Sequence, residues 1–333
     1  MTPSFTRIAK LEAIGVRSLT WHEDQLVDWV GGGNSFSLDG STARASVIYG
    51  FRFDNVCSSA DGKYAVIYEQ LGTKGLLLED GEIIRELNRS FNHANVYEYP
   101  VCFAKLESQR DVLIHCPDEY NRIEIEDVRT GELLTKCDTR KPKDFFHSRL
   151  ATSPNGKLLL SAGWVWHPFD AVCVWDIAES IDQPTSLDSS QLFPSQSTEV
   201  SSAAFLDNEH LLLSTSDESF AGDEYEVDEL RPSTISVWNI PKRKIESQVN
   251  VEERVGRLMP INRHYALGFF EAPKIICLES GQIVARLPEL KTGTQTSSII
   301  HHNDALPPIA ADVANHRFAV ANENEIHVFK VES

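Results

Sequence analysis

The run His301-His302-Asn303-Asp304 holds adjacent metal-ligating side chains. On an extended backbone neighbouring side chains point to opposite sides, so both imidazoles reach one ion only if a loop turns them, and the alternative is a solvated loop. His22-Glu23-Asp24 reads as a polar turn between strands. Gly31-Gly32-Gly33 joins the apolar stretches LVDWV and NSFSL with no helix after it. No helix N-terminus is therefore available to offer free N–H groups to a phosphate. The spacings of phosphate-binding loops, zinc proteases, nucleophile elbows and calcium loops do not occur. Cys57, Cys102, Cys116, Cys137, Cys173 and Cys277 form no CxxC pair, and most sit in apolar runs where a reduced thiol behaves as a small hydrophobe. The expectation is a protein with no disulfide, metal or cofactor.

Charge adds a second constraint. The chain carries 31 Lys and Arg against 49 Asp and Glu, a net charge of −18. Such a surface repels nucleic acid and anionic membrane and speeds the approach of cationic partners. The N-terminus has no apolar core of a signal peptide, and no apolar run is long enough to span a bilayer, so the reading is a cytoplasmic chain. Two segments stand out from ordinary surface sequence. Residues 163–170, GWVWHPFD, bring Trp164, Trp166, His167 and Phe169 together. Residues 216–233 carry Asp217, Glu218, Asp223, Glu224, Glu226, Asp228 and Glu229 with no base before Arg231.

The elements that must position these segments show as a repeat. An apolar run, a polar pair often containing Gly, a second apolar run, a loop, a third strand and a short fourth strand recur along the chain. From Phe53 the pattern reads FDNVCSSA, Asp61-Gly62, KYAVIYE, GLLLE, Asp80-Gly81, EIIREL. Asp-Gly between apolar runs signals a hairpin. Imperfect alternation fits strands buried on both faces. Third strands recur at residues 34–38, 75–79, 122–126, 171–175, 234–238, 274–278 and 325–329. The spacing is mostly 40–50 residues, the period of propeller blades, and the 63 residues before Thr234 mark extra loop. The chain ends just after the seventh third strand, so the last blade lacks its fourth. Residues 1–13, with FTRIAKLEA, supply it and remove a sheet edge.

The stretch SPNGKLLLSAG followed by VCVWDI, with Trp175-Asp176 in the place of a Trp-Asp dipeptide, resembles the WD40-repeat family, and Trp238-Asn239 is a near match. The other blades lack the dipeptide and no well-placed Gly-His pair is found, so the family's buried His–Asp–Trp network is not carried over. The resemblance implies a single all-β domain over residues 1–333, a degenerate seven-bladed β-propeller with four-stranded blades. It also implies that blade-to-blade connections and the loops between second and third strands open on one face. Segments 163–170 and 216–233 then lie side by side in consecutive blades, joined on that face by residues 88–98, by the basic 138–147 with Arg140, Lys141 and Lys143, and by 288–304.

The expected function is a non-enzymatic, monomeric protein-binding scaffold. One version is a cytosolic inhibitor or immunity-type protein that engages a basic partner through the aromatic and acidic segments. The aromatics have an alternative role as caps on the core, the acidic segment as a solvated insertion, and the basic connection as its partner within the molecule. The alternative function is a hydrolase or lactonase-like enzyme with a site in the central channel.

Overall fold

The computed structural model describes residues 2–45, 47–166, 168–189, 197–219 and 229–332. Seven antiparallel sheets form seven blades, and all seven expected third strands occupy that place. Blade 1 is Thr20–His22, Gln25–Asp28, Asn34–Ser37 and Thr42–Ala43; blade 2 is Asn55–Ser58, Tyr64–Tyr68, Lys74–Glu79 and Glu82–Asn88. Blade 3 is Val101–Lys105, Asp111–His115 and Glu124–Asp127; blade 4 is Leu150–Thr152, Leu158–Val165 and Phe169–Asp176. Blade 5 is Thr198–Phe205, His210–Ser219, Thr234–Asn239 and Lys244–Asn250; blade 6 is Leu258–Pro260, Tyr265–Gly268, Lys274–Cys277 and Ile283–Arg286. Blade 7 is Ile309–Asp312, Arg317–Asn322 and Glu325–Glu332, closed on its outer edge by Ser4–Glu12. That closing pair runs antiparallel from Ser4↔Glu332 to Glu12↔Glu325, with a bulge between Arg7 and Ala9.

Among the described residues the four-stranded plan is complete in five blades. In blade 3 only a bridge, Glu126↔Leu133, marks the outer place. In blade 4 the chain leaves the third strand through a short helix, Ile177–Asp182, and a turn of 3-10 helix, Pro184–Asp188. Asp176 of the Trp-Asp dipeptide caps that helix, its carboxylate accepting the Glu179 N–H at 2.9 Å.

Apolar strands face both ways because each blade packs against two others. Seven core clusters each join two consecutive blades, and one of them joins blade 7 to blade 1 through Leu11, Leu19, Leu26, Ala319 and Ile326. The turns are more varied than Asp-Gly suggests. At Asp80-Gly81 both residues have positive φ, 50° and 85°, as a two-residue hairpin needs. At Asp61-Gly62 only Gly62 does. There the Asp61 carboxylate accepts the Ser59 hydroxyl at 2.7 Å and the Lys63 N–H at 3.2 Å, which favours a longer turn.

All six cysteines are free. Burial pushes the Cys57 thiol up to about 12, with Cys102 and Cys116 also raised by burial.

The closing strand generates a stability prediction. Leu11→Ala empties a site buried between blades 7 and 1 and should cost about 2–5 kcal/mol in urea unfolding. Ile8→Ala, on an exposed side chain of the same strand, should cost less than about 1 kcal/mol. Equal, small losses would mean that ring closure does not carry the stability of the molecule.

Candidate functional site

Residues 163–170 are not a loop. The second and third strands of blade 4 continue through them, pairing Gly163↔Ala171, Trp164↔Asp170 and Val165↔Phe169, so the hairpin projects from the ring as sheet. The extension buries Trp164 to 3% exposure and Phe169 to 5%, while Trp166 at its tip is 52% exposed. Two of the aromatics thus cap the core, and one reaches solvent.

Trp164 is held from both sides. The hairpin pairs with the blade 3–4 connection, where the Phe146 N–H donates to the Trp164 carbonyl at 2.8 Å and the Trp164 N–H to the Phe146 carbonyl at 3.1 Å. A β-carbon on Gly163 would stand 1.9 Å from the Phe146 carbonyl oxygen, so only glycine allows this approach. The rings then stack as a column. Tyr120 lies 4.3 Å from Phe146, Phe146 lies 3.9 Å and 7° from Trp164, and Trp164 lies 6.1 Å from Trp166. Tyr97 meets Phe146 edge-on at 5.6 Å, and His93 sits 5.3 Å from Trp166. Phe91, on the same connection as His93, is 87% exposed. Trp166 is therefore a solvent-facing ring at the end of an aromatic stack, beside the exposed His93.

The acidic segment begins inside a strand. His210–Ser219 carries Asp217 and Glu218, both exposed, at its end. Asp223, Glu224, Glu226 and His167 lie outside the described residues. Blades 4 and 5 are linked at this edge by one carboxylate. Glu199 accepts the Asp170 N–H at 3.1 Å and the Ser216 hydroxyl at 2.6 Å. The basic connection 138–147 is anchored to blade 4. Arg140 is buried and donates to Asp188 at 2.5 Å, just after the blade 4 helix.

The connection between blades 6 and 7 reaches several other blades. Near its start it pairs with blade 6 itself, Glu271↔Gly293. Ser298 then donates its N–H to the Asp170 carboxylate of blade 4 at 3.0 Å, and its hydroxyl also bonds that group. Ile299 bridges Tyr97, and the Ile300 N–H donates to the Val96 carbonyl at 2.9 Å before the chain returns to blade 7. This strap lies across the mouth of the ring. His301 and His302 are exposed beyond it, their rings 5.1 Å apart and edge-on. Among the described residues no group of three or more His, Cys, Asp or Glu is placed to hold a metal ion.

A buried histidine beside the Trp-Asp blade was missed in the sequence because Phe146, not Gly, precedes it. His147 is buried, its Nδ1 3.1 Å from the Ser161 hydroxyl and its Nε2 3.3 Å from the Asn121 carbonyl. A carbonyl can only accept, so Nε2 carries the proton and Nδ1 receives the Ser161 hydroxyl. Burial lowers its pKa to about 3, so the ring is neutral at ordinary pH. It meets Trp175 edge-on at 5.6 Å.

The strap latch generates a pH prediction. Burial raises Asp170 to about 6 despite the nearby Arg149 guanidinium and the Ser298 hydroxyl, and Glu199 adds to the rise. A folded pKa above the unfolded one means that the native state binds the proton more tightly. Stability from this group therefore increases as pH falls from above about 6 toward about 4. Asp170→Asn has no such term. The difference in Tm, wild type minus variant, should grow more positive from pH 7 to pH 4, and a difference independent of pH would contradict the assignment.

No family model matches the chain, and no curated protein matches it. Solved structures do share its fold. One is a chain of the crystal structure of the mitotic checkpoint complex, with TM-score 0.62 and 14% identity, covering 98% of this chain and 92% of that one. Another is the Cps50 (Swd1) β-propeller domain of Myceliophteria thermophila, with TM-score 0.60 and 12% identity, covering 99% of this chain and 100% of that one. At such identities the likeness establishes architecture, and the architecture is that of a seven-bladed β-propeller.

Proposed function

We propose that the protein is a non-enzymatic scaffold that binds a protein partner at the edge of blades 4 and 5. The observation that carries this reading is Trp166, exposed at the tip of a projecting hairpin and backed by a stacked aromatic column. A large ring that is already immobile loses little entropy on contact, and Trp is favoured as an interface anchor for that reason. Asp217 and Glu218 stand on the neighbouring blade, and the net charge is −18. That field would speed the approach of a basic partner and add less to final affinity. An acidic cytoplasmic inhibitor, or an immunity-type protein holding a basic toxin, fits this chemistry, as does action as a monomer that avoids nucleic acid and membrane. One structural neighbour, a chain of the mitotic checkpoint complex, is in keeping with a scaffold role. A hydrolase or lactonase-like site in the channel is less well supported, because the 6–7 strap lies across the mouth on this side.

The test is kinetic. With the partner in hand, Trp166→Ala should raise the dissociation rate about tenfold or more. Asp217→Asn with Glu218→Gln should chiefly slow association and flatten its dependence on salt. Trp164→Ala is unsuitable as a binding probe, because it removes a buried ring of the column. Wild-type rates in both variants would exclude this edge as the site.

A further inference from the structure

The same face has a second sector of opposite character, over blades 7, 1, 2 and 3. Several of the large apolar side chains left in water on the molecule stand there, on connections between blades. They are Ile14 between blades 7 and 1, Val47, Ile48 and Phe51 between blades 1 and 2, and Phe91 between blades 2 and 3. Ile48 is 93% exposed.

These connections form one surface. Blade 1's glycine turn tucks beneath residue 47, where a β-carbon on Gly32 would stand 2.2 Å from the Val47 carbonyl oxygen and φ is +95°. The Arg17 guanidinium donates to the Phe53 carbonyl, and the Phe51 and Phe53 rings lie 5.1 Å apart. The Gln70 N–H donates to Asp54 at 2.7 Å, and the Tyr99 N–H to the Gln70 carbonyl at 3.0 Å. Arg89 ties the 2–3 connection to the blade 2 turn, donating to the Gly72 carbonyl at 2.6 Å and the Tyr97 carbonyl at 3.0 Å. The arc ends at His93, against Trp166.

Its charge is the reverse of the molecule's. The chain has 49 carboxylates in 333 residues, yet residues 13–22, 40–53, 88–97 and 290–303 contain none. Arg44 and Arg52 flank the Val47–Phe51 apolar run, both exposed, and no carboxylate among the described residues pairs with either. Of the carboxylates that border the arc, Asp54 accepts the Gln70 N–H and Glu98 the Tyr68 hydroxyl, while Glu82 lies near Tyr49.

We propose that this arc docks an acidic segment of a protein partner in which Asp or Glu alternates with large apolar residues. The apolar arc would be covered by the segment's apolar side chains, and Arg44 and Arg52 would pair with its carboxylates. An extended segment can follow the arc and stop short of blade 5. A flat anionic membrane would press Asp217 and Glu218 of that blade against like charge. This inference rests on the scaffold reading but on different residues, so the two can fail separately.

The experiment is fluorescence anisotropy with short labelled peptides, one alternating Glu with Leu and Phe, the other with Lys in place of every Glu. The acidic peptide should bind at least about tenfold more tightly, and less so as salt rises. Arg44→Glu with Arg52→Glu should abolish or invert that preference. Ile48→Ser with Phe51→Ser should weaken binding about tenfold or more, and Ile48→Ser alone, at a side chain 93% exposed, should weaken it while leaving the melting temperature unchanged. Trp166→Ala should leave peptide binding within about threefold. Lack of binding, equal affinity for the two peptides, or indifference to the Arg44/Arg52 pair would overturn the proposal. So would flotation with phosphatidylserine vesicles that the same pair abolishes while peptides stay unbound. Self-association on sedimentation that this pair abolishes would assign the arc to a second copy and equally overturn it.

Discussion

A ring of seven sheets has to meet itself, and everything else in this molecule is arranged around that meeting. Blade 7 is built from both ends of the chain, Ser4–Glu12 lying along Glu325–Glu332. Without that pair, blade 7 would expose a strand edge and the blade 7–1 core would open. Closing so long a chain costs only logarithmically more than closing a short one. The meeting is reinforced beside the strands. Arg317 of blade 7 donates to Asp24 and to the Glu23 carbonyl, both at 2.8 Å, and stacks over Trp21 at 4.0 Å, all in blade 1. His22-Glu23-Asp24, which as sequence is only a polar turn, is thus one side of the ring's clasp.

Closure explains why one face can carry so much irregular chain. Each blade is gripped by two neighbours through apolar clusters, so its connections contribute little to keeping the strands in place. Blade 4 shows this tolerance within the ring. Its third strand is followed by a capped helix and a 3-10 turn, and the pairing of buried Arg140 with Asp188 fastens that detour to the 3–4 connection. A connection with no structural duty is free to hold apolar or charged groups in solvent, where they contribute to recognition alone.

The architecture was legible because it rests on local signals. Runs such as KYAVIYE and KLLLSAG, punctuated by turns, set strand order and period, and the apolar pattern of residues 5–13 marked a further strand. The site was legible only in part, because it rests on contacts far apart in the chain. GWVWHPFD reads as an aromatic loop, and nothing local shows that Phe146 will pair with Trp164 and extend the hairpin as sheet. The strap lay still further out of reach, since Ser298 meets Asp170 across 128 residues. Charge was read as a total of −18, and the total conceals acid-free connections gathered on one sector. A pattern of absences along separated segments becomes a surface only when the fold brings those segments together.

Asp170 shows how the two sectors are held in one frame. A fully buried carboxylate whose charge is disfavoured is a cost that an amide would lessen. The acid does something an amide does less well. It accepts both the N–H and the hydroxyl of Ser298 while facing Arg149 at 3.9 Å, and its own N–H is held by Glu199. Arg149 in turn donates to the Ala162 carbonyl of its own blade and the Ser201 carbonyl of blade 5. The strap, the projecting hairpin and the acidic strand of blade 5 are therefore fixed around Asp170 and Glu199. The Ile299 and Ile300 contacts carry that fixation to the 2–3 connection. Trp166, the acidic edge and the near end of the apolar arc then keep set positions relative to one another, which is what a surface needs if it is to read a partner's charge and shape at once.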